Sequence, residues 1–176
     1  MTRMKQTAIG AALVASLLLA APVQAAQCVD QTISSAARIQ ELKILLMNVS
    51  LRCRVMTADI SSNFDRLVKS HVASFDAAER DLRTFFGAKS SRASQAEWLR
   101  YNTVLGNIYG AGNTNLRDCR SFNGVMTELS VRGNDRTTLL EVASAMVPAP
   151  RIEGDACQVV ITAPGATGGP GAGGRP

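Results

Sequence analysis

Acid–base and nucleophilic catalysis near neutral pH would depend on histidine, and this chain contains only one, His71. A catalytic histidine needs an acid to orient it and a nucleophile within hydrogen-bonding reach. Ser70 and Ser74 are the nearest hydroxyls, but a helix through this region would turn Ser70 onto another face. We therefore predict that His71 is a half-buried packing residue and that the chain has no catalytic residues.

Three carboxylates lie close together at Asp76, Glu79 and Asp81. Glycoside hydrolysis uses two carboxyl groups across a cleft, one of them held in an apolar pocket. Here arginines alternate with the acids, which is typical of a solvated helix face. A small exported hydrolase acting on peptidoglycan or another envelope polymer is the alternative function. It requires Glu79 or Glu97 to be shielded from its arginine neighbours.

Four cysteines could hold a metal, carry out redox chemistry or form disulfides. Their spacing contains neither the close cysteine pair of a zinc site nor the C-x-x-C of a redox site, so we predict no metal and no cofactor. An even number in an exported chain instead indicates disulfides, of which four cysteines allow three pairings. If the chain folds back at Gly87, Cys53 faces Cys119, and Cys28 pairs with Cys157 outside them.

The expectation of export comes from residues 1–25, which have the layout of a secretory signal peptide. Arg3 and Lys5 precede an apolar run, and Val23 and Ala25 occupy the −3 and −1 positions of a cleavage site. Removing this leader lowers the net charge from +5 to +3, because it carries two cations and no acid. We predict a periplasmic or secreted protein without a transmembrane span. The leader and the absence of a basic run disfavour nucleic acid as a partner.

Aromatic residues are concentrated in the middle of the chain. Of the eight, six fall between residues 75 and 109, with several arginines among them. Rings with arginines are typical of protein–protein contacts and of helices at membrane surfaces, although two helices meeting at a turn also need large core residues. Phe85 and Phe86 are adjacent and cannot both face inward, so one must be partly exposed. The predicted partner-binding residues are Phe85, Phe86, Arg92, Trp98 and Tyr101.

The elements that position these residues are predicted to be helices. Residues 23–86 contain no glycine or proline, and an apolar seam with an average step of about 3.6 residues runs from Leu42 to Phe85. We expect a continuous or gently bent helix over Val29–Phe86, about 87 Å long. The polar run over 59–63 permits a break in it.

Gly87 is expected to end this helix and to begin the reversal of the chain. Shorter helices follow, opened by capping boxes at Ser94 and Thr138. The fold class is therefore all-α, a disulfide-clamped antiparallel helical hairpin or elongated bundle with coiled-coil character. Glycine and proline dominate the last residues, which cannot bury enough surface to fold. The predicted organisation is a signal peptide over 1–25, a helical domain over 26–161 and a disordered tail over 162–176.

These observations together predict an exported, non-enzymatic cell-envelope protein. Its role would be to bind another envelope protein or to support an envelope assembly, and the helical composition also permits a homo-oligomer. A carrier of a small apolar ligand is a third interpretation, which requires an internal cavity between the helices.

Overall fold

The computed structural model describes residues 28–87, 91–152 and 154, and this part of the chain folds into six helices. They are α1 (Gln31–Val55), α2 (Ser61–Ser70), α3 (Val72–Phe86), α4 (Ser91–Gly110), α5 (Leu116–Val131) and α6 (Arg136–Met146). The all-α class predicted from the sequence is confirmed. The predicted signal peptide over 1–25 and the predicted tail over 162–176 lie outside the described residues.

The continuous helix predicted over Val29–Phe86 is wrong, because the chain turns over residues 56–60. Thr57 adopts a left-handed conformation with φ 63°, which a β-branched residue rarely takes. Asp59 Oδ1 accepts a hydrogen bond from the Ser61 amide at 2.9 Å. Polar side chains that bond nearby backbone compete with helix continuation. The break thus overlaps the polar run over 59–63 only at residues 59 and 60, because α2 has already begun at Ser61.

The apolar seam nevertheless lies inside the protein on both sides of the break, because α3 returns alongside α1 and packs against it. Only His71 separates α2 from α3. Three seam residues are half-buried, namely Met56, Phe64 and Phe85. The other ten are buried: Leu42, Leu46, Val49, Cys53, Ile60, Leu67, His71, Phe75, Ala78 and Leu82.

Helix α1 is central, since it packs against α3, α4, α5 and α6, while α2 packs mainly on α5. Hydrogen bonds fix the direction of α4 relative to α1. Gln40 Nε2 donates to Asn102 Oδ1 and Arg52 Nε donates to Thr114 Oγ1, each at 2.6 Å and each across 62 residues of sequence. A constant separation means that α1 and the chain through α4 run in the same direction. Two reversals separate them, one at 56–60 and one between α3 and α4.

The predicted disulfide between Cys53 and Cys119 is confirmed, with Cα atoms 5.7 Å apart. Both residues are fully buried, and the bond joins the end of α1 to the first turn of α5. It closes a loop with a sequence separation of 66, which is worth about 4 kcal/mol in the chain-entropy account. Cys28 is also disulfide-bonded. Cys157 lies outside the described residues, so the Cys28–Cys157 pair stays a prediction.

Capping differs from the sequence prediction at α4 and α6. Ser94 lies inside α4, and its hydroxyl donates to the Arg83 carbonyl at 2.7 Å, which ties α4 to α3. The N-cap of α6 is Asp135, whose carboxylate accepts from the Thr137 and Thr138 amides. The capping boxes predicted at Ser94 and Thr138 are therefore wrong, because both helices begin earlier than their apolar pattern does.

Glycine is required at position 87 because a side chain would not fit there. Its φ of −88° and ψ of 0° are open to any residue. A Cβ atom there would lie 2.8 Å from the Arg83 carbonyl oxygen and 3.0 Å from Ser94 Cβ. The close approach of α3 and α4 at their connection therefore depends on a residue without a side chain.

Two glycine-to-alanine substitutions test this packing. Gly87→Ala should lower the free energy of unfolding by about 1–3 kcal/mol, because backbone must move to admit the methyl group. Gly106→Ala in α4 is the control, since a methyl group added there would meet nothing within 4 Å; it should raise stability by up to about 1 kcal/mol through helix propensity. Urea unfolding followed by circular dichroism measures both. Equal effects of the two changes would contradict the close-approach account.

Candidate functional site

A cleft of about 180 Å³ opens between the end of α3 and the face of α4. We call it the aromatic cleft. Its lining comes from two consecutive helices and from the segment that follows α6. The lining residues are Phe85 and Phe86 of α3, Glu97, Arg100, Tyr101 and Val104 of α4, and Arg151 beyond α6.

Three aromatic rings follow one another along this cleft. The ring centroids of Phe85 and Phe86 are 5.6 Å apart, and those of Phe86 and Tyr101 are 5.4 Å apart. Such spacings are those of favourable edge-to-face and tilted ring pairs. Both phenylalanines are half-buried, and Phe86 also packs against the core. The cleft therefore presents ring surface to solvent while its rings are held by packing.

The remaining predicted contact residues lie elsewhere. Trp98 is buried, and the Arg83 guanidinium lies 4.8 Å from its ring centroid. Arg92 is exposed near the start of α4. Neither lines the aromatic cleft. The structure thus brings together Phe85, Phe86 and Tyr101 and places Trp98 and Arg92 outside their cluster.

A buried carboxylate, which the sequence pattern did not indicate, stands behind the cleft. Glu41 of α1 has no exposed surface. Its Oε2 accepts from the Tyr109 hydroxyl at 2.7 Å, and its Oε1 accepts from the Tyr101 hydroxyl at 3.3 Å and from the Arg151 backbone amide. One side chain therefore connects α1, α4 and the segment after α6, which are the supports of the cleft.

Burial raises the pKa of the Tyr101 phenol far above its ordinary value, and the charge of Glu41 raises it further. Burial and the hydrogen bond to Glu41 raise the pKa of Tyr109 to about 12, although Arg151 partly opposes this. Both phenols therefore stay protonated at neutral pH and act as hydrogen-bond donors. The Tyr101 hydroxyl points inward to Glu41, so Tyr101 contributes mainly its apolar ring to the lining of the cleft.

The carboxylates named for the hydrolase alternative are paired with arginines. Glu79 Oε1 lies 2.7 Å from Arg83 Nε, and Glu97 Oε2 lies 2.8 Å from Arg100 Nε. A general acid in glycoside hydrolysis needs an apolar pocket that keeps its proton in place. Glu79 and Glu97 are instead each paired with an arginine, and both oxygens of Glu41 accept hydrogen bonds.

His71 is fully buried, which corrects the prediction that it is half-buried. Its Nε2 lies 2.9 Å from the Leu129 carbonyl oxygen, and its Nδ1 has no hydrogen-bond partner. Its ring meets Phe75 edge to face. The Ser70 hydroxyl donates to the Leu67 carbonyl at 3.0 Å. The imidazole thus bonds to a backbone carbonyl and joins α5 to the junction of α2 and α3.

A second, more open cleft of about 340 Å³ lies beside the Cys53–Cys119 disulfide. Its lining is mixed polar and apolar, and Asn63 Nδ2 donates a hydrogen bond to Asn123 Oδ1 within it at 2.5 Å. Both clefts open to solvent. A carrier of an apolar ligand would need an enclosed apolar space, and neither of these clefts provides one.

Within the described residues, no group of three or more histidine, cysteine or acidic side chains could hold a metal ion. None of the described helices is long and apolar enough to cross a membrane. The chain matches no protein-family model, no curated protein and no solved structure.

Proposed function

We propose that this chain is an exported, non-enzymatic cell-envelope protein that binds another protein through the aromatic cleft. The observation that carries the proposal is the row of three rings, of which Phe85 and Phe86 are half-buried beside two arginines. Aromatic residues and arginine dominate the few positions that supply most of the binding energy in protein interfaces. Half-buried rings can lose their remaining water on binding at little cost in side-chain order.

The size of the cleft favours a side chain as its occupant. Small-molecule and cofactor sites usually enclose about 300–1,000 Å³, whereas the aromatic cleft measures about 180 Å³. That volume suits one large side chain, or two small ones, projecting from a partner. The remaining contact would then be made by the surfaces around the cleft.

The rigidity of the cleft also supports a binding role. Glu41 holds Tyr101 and the Arg151 backbone in fixed positions, and Ser94 fixes α4 against the end of α3. A surface already ordered before binding loses less conformational freedom when a partner docks. A binding site of modest area benefits from such prior ordering of its half-buried rings.

Export is supported by the buried disulfide between Cys53 and Cys119. Disulfides persist in oxidising compartments such as the periplasm and the extracellular space, and they are rare in the cytosol. The signal-like layout of residues 1–25 agrees with this location. The periplasm or the outside of the cell is therefore the location that we propose.

Capture from envelope extracts tests the binding function. Phe85→Ala should reduce recovery of the bound partner about tenfold or more, because it removes one of the two half-buried phenylalanine rings that line the cleft. Leu99→Ala is the matched control, since Leu99 is 56% exposed on α4 and does not line the cleft. Quantitative mass spectrometry of material retained on immobilised mature protein gives the readout. Equal recovery by Phe85→Ala and by the unaltered protein would overturn the proposal, with circular dichroism confirming that both are folded.

A further inference from the structure

We infer that the aromatic cleft is covered by this chain's own residues 159–161, which a partner protein must displace in order to bind. The occupancy concerns the cleft itself, whereas its effect on partner capture rests on the proposed function. Three features support it: the place where the chain leaves its last helix, the apolar residues beyond that place, and the volume of the cleft.

The chain leaves its last helix at the edge of the cleft. After α6, the Arg151 backbone amide donates to the buried Glu41 carboxylate, which fixes this part of the chain against α1. Arg151 also lines the cleft. Ile152 comes next and packs, half-buried, against the core. The residues that follow Ile152 therefore start beside the cleft.

Few side chains among residues 153–176 suit an apolar recess. Apart from alanine, proline and Cys157, the apolar residues there are Val159, Val160 and Ile161, which form an unbroken run. In an extended run, alternate side chains point to opposite sides. Either Val160 or the pair Val159 and Ile161 would then face the cleft. One large side chain or two smaller ones is what a volume of about 180 Å³ admits.

The run is close enough in sequence to reach the cleft. Val159 comes eight positions after Arg151, a separation that spans at most about 26–29 Å when fully extended. A short tether gives a segment a local concentration in the millimolar range. A contact that is too weak to form between separate molecules is therefore populated within one molecule.

The predicted Cys28–Cys157 disulfide would hold the run at the same end of the bundle as the cleft. Helix α1 runs in the same direction as α4, and α3 ends where the connection to α4 begins. The start of α1, with Cys28 before it, therefore lies at the end of the bundle where Phe85 and Phe86 line the cleft. The run begins two positions after Cys157.

The apolar lining continues past the cleft along α4. Val104 lines the cleft and is 42% exposed, and Ile108, which is 37% exposed, lies four residues further on. Residues four apart are neighbours on one face of a helix. This face gives an extended segment further apolar surface to cover beside the side chain that enters the cleft.

Methyl NMR of the oxidised mature protein tests the occupancy without any substitution. We expect nuclear Overhauser contacts between the methyl groups of residues 159–161 and the ring protons of Phe85, Phe86 or Tyr101. Leu99 is the control, because it is 56% exposed on α4 and does not line the cleft. Its methyl groups should show no contact with the run. The absence of contacts to all three rings would overturn the inference.

A mixture of isotopically labelled and unlabelled protein identifies which molecule supplies the run. We expect the contacts to arise within one molecule, because the tether favours its own cleft over that of another. Contacts found only between labelled and unlabelled molecules would assign the occupant to a second copy of the chain. That result would overturn the inference.

Two shortened chains test the effect on partner capture. One ends after Gln158 and lacks the run, the other ends after Thr162 and keeps it, and both retain Cys157. The chain that ends after Gln158 should recover about fivefold or more partner from envelope extracts, because a partner binds only those molecules whose cleft is empty. Phe85→Ala in that shorter chain should abolish the gain. Circular dichroism confirms that each chain is folded.

The outcomes separate this inference from the proposed function. If Phe85→Ala lowers capture but the run shows no contact with the rings, the inference fails and the binding function stands. Equal capture by the two shortened chains, with Phe85→Ala still lowering it, would overturn the requirement for displacement. If ring contacts are present but neither shortening nor Phe85→Ala changes capture, the occupancy stands and the proposed function fails.

Discussion

Replacing Glu41 by alanine should lower the free energy of unfolding by about 3–5 kcal/mol, the largest loss we expect from a single substitution in this protein. The change removes a fully buried side chain and leaves a cavity beside α4. It also removes the acceptor for the Tyr101 and Tyr109 hydroxyls and for the Arg151 amide. Buried donors without acceptors cost about 1–3 kcal/mol each, and the half-buried position of Tyr109 moderates its share.

Glu41→Gln separates the hydrogen bonds from the volume. The amide is nearly the same size as the carboxyl, but one oxygen becomes a donor that faces other donors. We expect it to cost about 1–3 kcal/mol, less than alanine. Glu128→Ala on α5 is the control, because the Glu128–Arg132 pair is exposed and should contribute less than about 1 kcal/mol. Urea unfolding monitored by circular dichroism gives all three values. A loss for Glu41→Ala no larger than that for Glu128→Ala would show that the network contributes nothing.

The period of the apolar seam predicted which residues are buried but not the direction of the chain that carries them. An apolar step near 3.6 residues puts side chains on one face of a helix. That face can be buried along a straight rod as well as between helices that fold onto one another. The turn at 56–60 keeps the seam residues on its two sides, such as Cys53 and Leu67, facing the same core. Only the polar run at 59–63 hinted at the turn.

The Cys53–Cys119 pair was predicted from one reversal at Gly87, but the chain reaches it through two. Because α1 and α4 run in the same direction, with partners 62 residues apart, the end of α1 arrives where α5 begins. Cys119 lies in the first turn of α5. The prediction succeeded because an even cysteine count in a helical chain leaves few pairings, and the seam had already placed Cys53 inward.

Glu41 could not be predicted because its partners are remote in sequence. Its hydrogen bonds span 60 residues to Tyr101, 68 to Tyr109 and 110 to Arg151. Helix α1 is surrounded by other helices, so residues beside the seam are buried as well as those on it. A glutamate next to Leu42 looks like an ordinary surface residue until the packing of α4 is known.

The cleft itself was partly predictable. Adjacent phenylalanines cannot both enter a core, and this constraint predicted that at least one of Phe85 and Phe86 is partly exposed. In the structure both are half-buried. Trp98 and Tyr101 lie only three residues apart on α4, and yet just Tyr101 reaches the cleft. Which neighbour covers each ring depends on how α3 and α4 are rotated about their axes, and composition does not encode that rotation.

Ultraviolet titration of the phenols should show no ionisation step near pH 10 in the folded protein. The chain has two tyrosines, and both donate to Glu41. Burial raises the pKa of Tyr109 to about 12 and that of Tyr101 further still, whereas unfolded tyrosines ionise at about pH 10. Protein unfolded in urea should therefore show one step of two-tyrosine amplitude near that pH, and native protein should not.

The same shifts set the sign of the pH dependence of stability. A phenol whose pKa is raised by folding favours the native state fully below the unfolded value, and that contribution is lost as the pH rises above about 10. We therefore expect alkaline unfolding to accompany phenolate formation, with absorbance and circular dichroism changing together. Tyr101→Phe should leave a single-tyrosine step near pH 12, assigned to Tyr109. An ionisation step near pH 10 in the native protein would mean that at least one phenol does not donate to Glu41. The inference that Glu41 holds that ring in place would then be wrong.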